Sequence, residues 1–255
     1  ENMKKILVAL AGVLAITSMS VQAADWSTVR LGVDATYPPF ESKDANGNLV
    51  GFEVELGEAV CKEMKVKCEW VVQDWDGIIP GLLARKYDAI FSSMSITPER
   101  AEQVAFTEPY YNTPSGWFAK KGASYNSKDL ATLAGARVGV QRGTIQDTYA
   151  SKHLEGKATV VRYTAADEFI IDLFAGRLDL ILIDVPVGEE LLAGDDRGVG
   201  YAMIGTEPLG DGAAAALRKR DGDLMEMFNK ALRTVKSNGV YDKIRVKYFS
   251  YDIKM

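Results

Sequence analysis

Apolar and polar positions alternate along this chain in two periods. Val29–Val33 is a short apolar run and predicts a strand. From 52 to 64, Phe52, Leu56, Ala59, Val60 and Met64 recur at helical spacing and define one apolar face. Cys68–Val72 returns to a strand, Ile78–Ala84 to a helix and Asp88–Phe91 to a buried strand. The same alternation resumes later. Strands are predicted at Arg137–Val140, Thr159–Tyr163 and Leu180–Ile183. Helices are predicted at Gln146–His153, Ala165–Ala175 and Val185–Leu192, and two more, Asp223–Lys236 and Tyr241–Tyr248, close the chain. Strands alternating with helices imply an α/β protein with parallel sheets. No fixed-period repeat or low-complexity tract is present.

The alternation breaks twice. Phe106–Tyr111 and Gly116–Ala119 look extended, with no helix between them. Thr206–Gly212 is irregular and holds Pro208, Gly210 and Gly212. Two such crossings predict two lobes, one built from discontinuous chain: residues 24–114 with 209–255, and residues 115–208. Two connecting strands of this kind permit hinge closure.

The first segment reads as an address. Lys4 and Lys5 precede an apolar run, Ile6 to Ile16, and small and polar residues lead to Val21-Gln22-Ala23. A charged start, a short apolar core and small residues at the last and third-last positions make a secretory signal peptide. The core is shorter than the ~20 residues of a membrane span. Met3 reads as the natural start, Glu1-Asn2 as a vector remnant, and 3–23 as the removed segment. The signal looks bacterial, so the expected compartment is the periplasm. No cysteine at the cleavage site offers a lipid anchor.

Composition narrows the function classes. Of 255 residues, 47% are hydrophobic and 25% charged, ordinary globular values that exclude wholesale disorder. The net charge is −5 and no basic stripe is present, which argues against nucleic acid as a partner. His153 is the single histidine, so a His-rich metal site is excluded, and no metal or cofactor is expected. Its place after Lys152 reads as a surface helix end. The two cysteines, Cys61 and Cys68, sit where the 52–64 helix turns into the next strand. An even count in an oxidising compartment favours a structural disulfide, and the spacing is not the C-x-x-C of a redox pair.

In parallel α/β sheets, ligands bind beyond the carboxyl ends of the strands. The residues there are Asp34, Thr36 and Tyr37; Asp74, Trp75 and Asp76; Ser92, Ser93, Ser95 and Thr97; Gln141, Arg142, Gly143 and Thr144; and Asp184. The set suits a small polar ligand with an apolar middle. Each member also has a plainer reading. Tyr37, next to Pro38-Pro39, is either a stacking platform or a core tyrosine. Trp75, flanked by acids, is expected to be exposed at a cleft. The serines are also ordinary loop formers. Arg100 lies in a first helical turn behind Thr97-Pro98-Glu99, against the helix dipole, so it either meets an anion or is simply solvated. Gly143-Thr144 opens a helix whose free N–H groups suit a carboxylate or phosphate, but no Walker lysine follows. Asp184 is a helix N-cap, a ligand for a cation, or both. Gly210-x-Gly212-x-x-Ala215 loosely matches a dinucleotide fingerprint but precedes a strand rather than a helix, and is set aside.

Five segments together resemble the periplasmic amino-acid-binding proteins of ABC importers, solute-binding protein family 3. They are Gly32–Glu41, Leu49–Leu56, Asp88–Arg100, Val138–Thr144 and Gly239 to Phe249. The resemblance is greatest to the lysine/arginine/ornithine- and histidine-binding group, which the Cys61/Cys68 spacing also fits. It runs through nearly the whole chain after residue 23. It implies a type II periplasmic-binding-protein fold: two lobes, each a mixed, mostly parallel sheet flanked by helices, joined by two hinge strands. It further implies a monomer that delivers its ligand to an inner-membrane ABC permease and performs no chemistry.

The resemblance also implies roles. Arg100 would hold the ligand α-carboxylate with lobe-two N–H groups near Thr144 and Ile145, a match of planar fork to carboxylate. Asp184 would accept the α-ammonium, joined by Ser95 and the Ser93 carbonyl. Tyr37 and Trp75 would sandwich the side chain, and Asp34 would favour a cationic end. Ser92 and Gln141 complete the set.

Some positions depart from the family pattern. Trp75 stands where a smaller apolar residue or a phenyl ring is common, Ile145 where Ser or Thr is common, and Gln141 and Arg142 where an apolar lining is common. An inward Arg142 would favour a carboxylated opine, octopine or nopaline; glutamine is a further alternative. A cyclohexadienyl dehydratase-like enzyme on the same scaffold would need a general acid, for which Asp34 or Asp76 is available. A soluble partner for a membrane receptor is the third class.

Overall fold

The structure is a computed structural model that describes residues 24–255. The signal-peptide segment lies outside the described residues. The chain opens with β1 (Thr28–Val33), three short strands β2 (Thr36–Tyr37), β3 (Glu41–Lys43) and β4 (Leu49–Val50), then α1 (Phe52–Met64) and β5 (Lys67–Val72). α2 (Ile78–Leu83), β6 (Ala89–Ile90), α3 (Pro98–Ala101) and β7 (Ala105–Phe106) follow. A second unit comprises β8 (Ser115–Lys120), β9 (Arg137–Gln141), α4 (Ile145–Leu154), β10 (Thr159–Tyr163), α5 (Glu168–Phe174), β11 (Leu180–Asp184), α6 (Val185–Ala193) and β12 (Tyr201–Glu207). The chain then returns through β13 (Ala216–Leu217), α7 (Gly222–Ser237) and α8 (Val240–Arg245).

Two five-stranded sheets result, in the orders β5-β1-β6-β13-β7 and β10-β9-β11-β8-β12. Both are mixed in the same way. Their first three strands run parallel and the last two pairings are antiparallel. The return strand β13 lies between β6 and β7, so the first sheet takes strands from both ends of the chain. β2, β3 and β4 form a small antiparallel sheet of their own.

Burial on both faces explains the apolar runs. In β11, Ile181 and Ile183 pack with Phe169, Leu173 and Val187 on one face, while Leu180 and Leu182 pack with Val138, Ala150 and Leu154 on the other. In the first sheet, Leu31 and Phe91 face α1 and α7, whereas Ile90 joins Ile78 and Leu82 of α2. α7 shows the amphipathic rule: Leu224, Phe228, Ala231, Leu232 and Val235 are buried along one side. α1 starts at Gly51, whose φ of +130° and closeness to the Phe40 carbonyl leave no room for a Cβ. It ends at Lys65 in the left-handed conformation, and Cys61 and Cys68 are disulfide-bonded across the turn, their Cα atoms 6.1 Å apart.

Element boundaries depart from expectation where local pattern is weak. β12 has no counterpart among the predicted elements: only its last two residues, Thr206 and Glu207, fall in the irregular stretch, and its burial is intermediate throughout most of its length. The irregular segment starts at Pro208 instead of Thr206. α5 starts at Glu168 rather than Ala165, and α8 stops at Arg245, short of Tyr248. The antiparallel halves of both sheets also differ from the parallel sheets that the alternation implies.

Candidate functional site

The carboxyl ends of β1, β6, β9 and β11 converge on one cavity. Asp34, Tyr37, Trp75, Ser92, Ser93, Ser95, Arg100, Gln141, Thr144, Ile145 and Asp184 all line it, and so do Glu41 and Gln146. A strand that ends must hand its chain to a loop. Parallel neighbours end at the same level, so loops from distant parts of the sequence meet there.

Bonds cross the cavity between the two sheets. Gln141 Nε2 donates to Asp34 Oδ2 at 2.6 Å, and the Tyr37 hydroxyl donates to Asp184 Oδ2. Trp75 Nε1 donates to the Gly143 carbonyl at 3.1 Å. The Arg100 guanidinium donates to the same carbonyl at 3.2 Å and to the Ser95 carbonyl at 2.7 Å. It also lies 5.3 Å from the centre of the Trp75 ring, within cation–π range. Ala166 N donates to Thr36 Oγ1 at 3.2 Å. The cleft is therefore closed.

Several side chains resolve between their alternative readings. Asp184 occupies the N-cap position of α6 but makes no capping bond with its side chain. Its carboxylate turns into the cleft and also accepts from Thr113 Oγ1 at 3.2 Å. Tyr37 is both a core and a cleft residue: it packs against Phe40, 6.3 Å between ring centres, and lines the cavity. Trp75 is only 8% exposed, which corrects the expectation of an exposed ring; contact with the second lobe at Gly143 covers it. The Thr144 hydroxyl is spent on local structure. It accepts from Asp147 N, capping α4, and donates to the Gln141 carbonyl. What α4 offers the cavity is its first-turn N–H groups at Ile145 and Gln146, which have no acceptor within the helix. Arg142 is exposed and does not line the cavity. His153 packs against Tyr149 with tilted rings, 4.4 Å between ring centres, and does not line the cavity.

Charge is arranged asymmetrically. Burial lifts Asp34 to about 6, offset in part by bonds from Gln141 and Thr36. Burial lifts Asp184 to about 6 as well, offset by Tyr37, Thr113 and Gln146. Burial pushes Arg100 down to about 10. One cationic group, Arg100, and two carboxyl groups, Asp34 and Asp184, thus line the same cavity, Asp184 from the second-lobe side.

Three polar groups at the site are absent from the sequence-based set. Glu41 is 1% exposed and accepts from Ser92 Oγ at 3.3 Å and Ser93 Oγ at 3.0 Å. Gln146 donates to Ser115 Oγ at 2.9 Å and lines the cavity. Thr113 supports Asp184 from the crossing segment. Glu41 stands directly behind Pro38-Pro39-Phe40, and its position in that motif was the one available signal. Among the described residues, no group of three or more His, Cys, Asp or Glu side chains is arranged to hold a metal ion. Among them, too, no helix is long and apolar enough to cross a membrane.

The chain is similar to known proteins in sequence and in fold. The chain is 45% identical to the L-arginine-binding protein of Pseudomonas aeruginosa, over 98% of both chains. It is 42% identical to the lysine/arginine/ornithine-binding periplasmic protein of Escherichia coli, over 98% of this chain and 99% of that one. An ancestral arginine-binding protein bound to arginine superposes with a TM-score of 0.84 at 37% identity, covering 88% of this chain and 99% of the other. Residues 29–251 match the family model of the bacterial extracellular solute-binding proteins, family 3, and the chain belongs to that family.

Proposed function

We propose that this protein is the periplasmic solute-binding component of an amino-acid ABC importer, and that it closes around a basic L-amino acid: arginine, lysine, ornithine or histidine. The observation that carries the reading is that Arg100 and Asp184, from different lobes, line one cavity together with Asp34. An α-amino acid presents a carboxylate and an ammonium on one carbon. Arg100 and the α4 N–H groups suit the first, and Asp184 the second. Asp34 then meets a cationic side chain, and Tyr37 and Trp75 supply apolar faces between. The relatives that bind arginine, or lysine, arginine and ornithine, support the same ligand class.

The lobes would divide at 114/115 and 208/209. Sheet membership supports these limits, since β8 starts at Ser115 and β12 ends at Glu207. Because Arg100 and Asp184 come from different lobes, ligand favours the closed state, and an inner-membrane permease reads that shape. The protein acts as a monomer, does not bind nucleic acid and catalyses no reaction. Arg142, exposed as it is, supplies no partner for the second carboxylate of an opine.

A thermal-shift panel tests the reading. It covers ligand-free mature protein with L-arginine, L-lysine, L-ornithine, L-histidine, L-glutamine, octopine and nopaline. A ligand at 100 times its Kd stabilises by about 2.7 kcal/mol. Shifts confined to the basic amino acids support the reading, and shifts confined to glutamine or opines overturn it. Turnover of prephenate or arogenate would overturn the transport role.

A further inference from the structure

Behind Asp34 lies a chain of buried polar groups that the ligand clamp does not use. Asp34 N–H donates to Ser92 Oγ at 2.8 Å, and Ser92 Oγ donates to Glu41 Oε1 at 3.3 Å. Tyr110 donates its hydroxyl hydrogen to Glu53 Oε1. The remaining oxygens, Glu41 Oε2 and Glu53 Oε2, both meet Ser93 Oγ, at 3.0 and 2.7 Å. Glu41 is 1% exposed and Glu53 fully buried.

The hydrogen count decides the protonation state. Ser93 has one hydroxyl hydrogen and can donate to only one carboxylate. The second contact is attractive only if the other carboxyl carries a proton and donates it to Ser93 Oγ. Two buried carboxylates that meet one hydroxyl repel each other, and one of them keeps a proton unless a cation comes up beside them. The titratable groups facing the pair are Asp34, Tyr37, Tyr110, Tyr111, Tyr241 and, beside Tyr111, Asp184. All are acids. Burial and the mutual repulsion of the pair push Glu41 well above the usual carboxylate range.

We propose that Glu41 and Glu53 share one proton across Ser93 in the ligand-free protein, and that a cationic ligand side chain entering beside Asp34 and Glu41 expels it. Glu41 is the member of the pair that lines the cavity, so the cation reaches it first. The proton leaves to solvent and the ligand charge takes its place. A neutral side chain leaves the proton where it is. Glu41 is on this account a specificity residue: it sets the counter-charge to whatever arrives, and selects basic over neutral ligands while the empty pair carries one negative charge instead of two. The inference rests on the basic-ligand reading of the cleft.

Calorimetry at pH 8 tests it, in two buffers of different ionisation enthalpy, with L-arginine and with L-glutamine. At that pH Asp34 and Asp184, at about 6, are ionised with or without ligand and contribute little. Arginine binding should release about one proton, and its affinity should rise roughly tenfold per pH unit, the slope of a one-proton exchange. Glutamine should release none. Difference infrared spectra should show a protonated-carboxyl stretch lost on adding arginine. Glu41→Gln should abolish both the release and the band. Arginine bound without proton release, and with no band lost, overturns the shared proton but leaves the basic-ligand reading standing. Failure of arginine to bind overturns both. The wild-type measurements decide the matter even if Glu41→Gln does not fold.

Discussion

Asp34 and Gln141 meet across the cleft, with Gln141 Nε2 2.6 Å from Asp34 Oδ2. They are 107 positions apart in sequence and come from opposite sheets. Gln141 replaces an apolar lining with a donor, so closure itself satisfies part of the buried carboxylate. A cationic ligand head then adds to a buried acid that one hydrogen bond already partly satisfies. Asp34→Asn should remove the preference for arginine over glutamine, with a loss of roughly 2–5 kcal/mol in arginine binding and little in glutamine binding. Titration calorimetry with both ligands checks it, and an intact preference would remove Asp34 from the specificity argument.

Arg100→Ala should weaken every α-amino acid ligand, whatever its side chain, by more than about 2 kcal/mol. The variant also removes the donors to the Ser95 and Gly143 carbonyls, so closure should become less favourable. Affinities for arginine, lysine and histidine measured side by side decide it. A loss restricted to one ligand would contradict a role at the shared carboxylate.

The pH response of the ligand-free protein follows from its buried acids, Asp34 and Asp184 among them, with Glu41 and Glu53, also raised by burial, acting in the same direction. Asp34 and Asp184 have an ordinary value of 3.8 and sit at about 6 when folded. Between those values the folded state holds protons that the unfolded chain has released. Stability from these groups therefore falls as pH rises through that window, by up to about 3 kcal/mol each at the upper end. Asp88 and Asp179 are held low by Arg30 and Arg137, and their opposite contribution disappears only at pH below the ordinary carboxylate value. Scanning calorimetry should find a higher Tm at pH 5 than at pH 7.5, and Asp34→Asn should narrow the gap. An unchanged gap would mean that Asp34 is not desolvated in the open protein.

The Cys61–Cys68 bridge ties the end of α1 to the start of β5, at the opposite end of the sheet from Asp34 and Trp75. Replacing both cysteines with serine should cost about 2.5 kcal/mol by loop entropy. Urea denaturation reads that loss. Arginine affinity should be unchanged, because neither residue touches the cavity.

Arg142→Ala should leave the ranking of arginine, glutamine and octopine within roughly 0.5 kcal/mol of the parent, as for an exposed side chain. A gain for octopine or loss for arginine would place Arg142 at the ligand.

Local pattern sufficed for much of the fold. α1 and β10 follow directly from apolar spacing, and the paired residues Leu180-Ile181-Leu182-Ile183 announce a strand buried on both faces. β12 did not announce itself, since its residues are half-buried at a sheet edge and carry no strong alternation. The strand-end rule, with the family resemblance, drew attention to eleven residues that the fold brings around one cavity. It passed over Glu41, whose neighbours in sequence say nothing of the serines and the glutamate that meet it in space.

By itself, the sequence determined the alternation of strands and helices, the position of the cysteines and which polar residues stand at strand ends. These depend on spacing and residue type within a few turns of chain. The tertiary structure alone decided that Asp184 turns its carboxylate to Tyr37 instead of capping α6, that Trp75 is covered by Gly143, and that Arg142 faces outward. It also decided that Glu41 and Glu53 converge on one serine hydroxyl. Each of these is a relation between segments far apart in sequence. A side chain's direction and protonation depend on which partners close packing brings to it, and no local period encodes that.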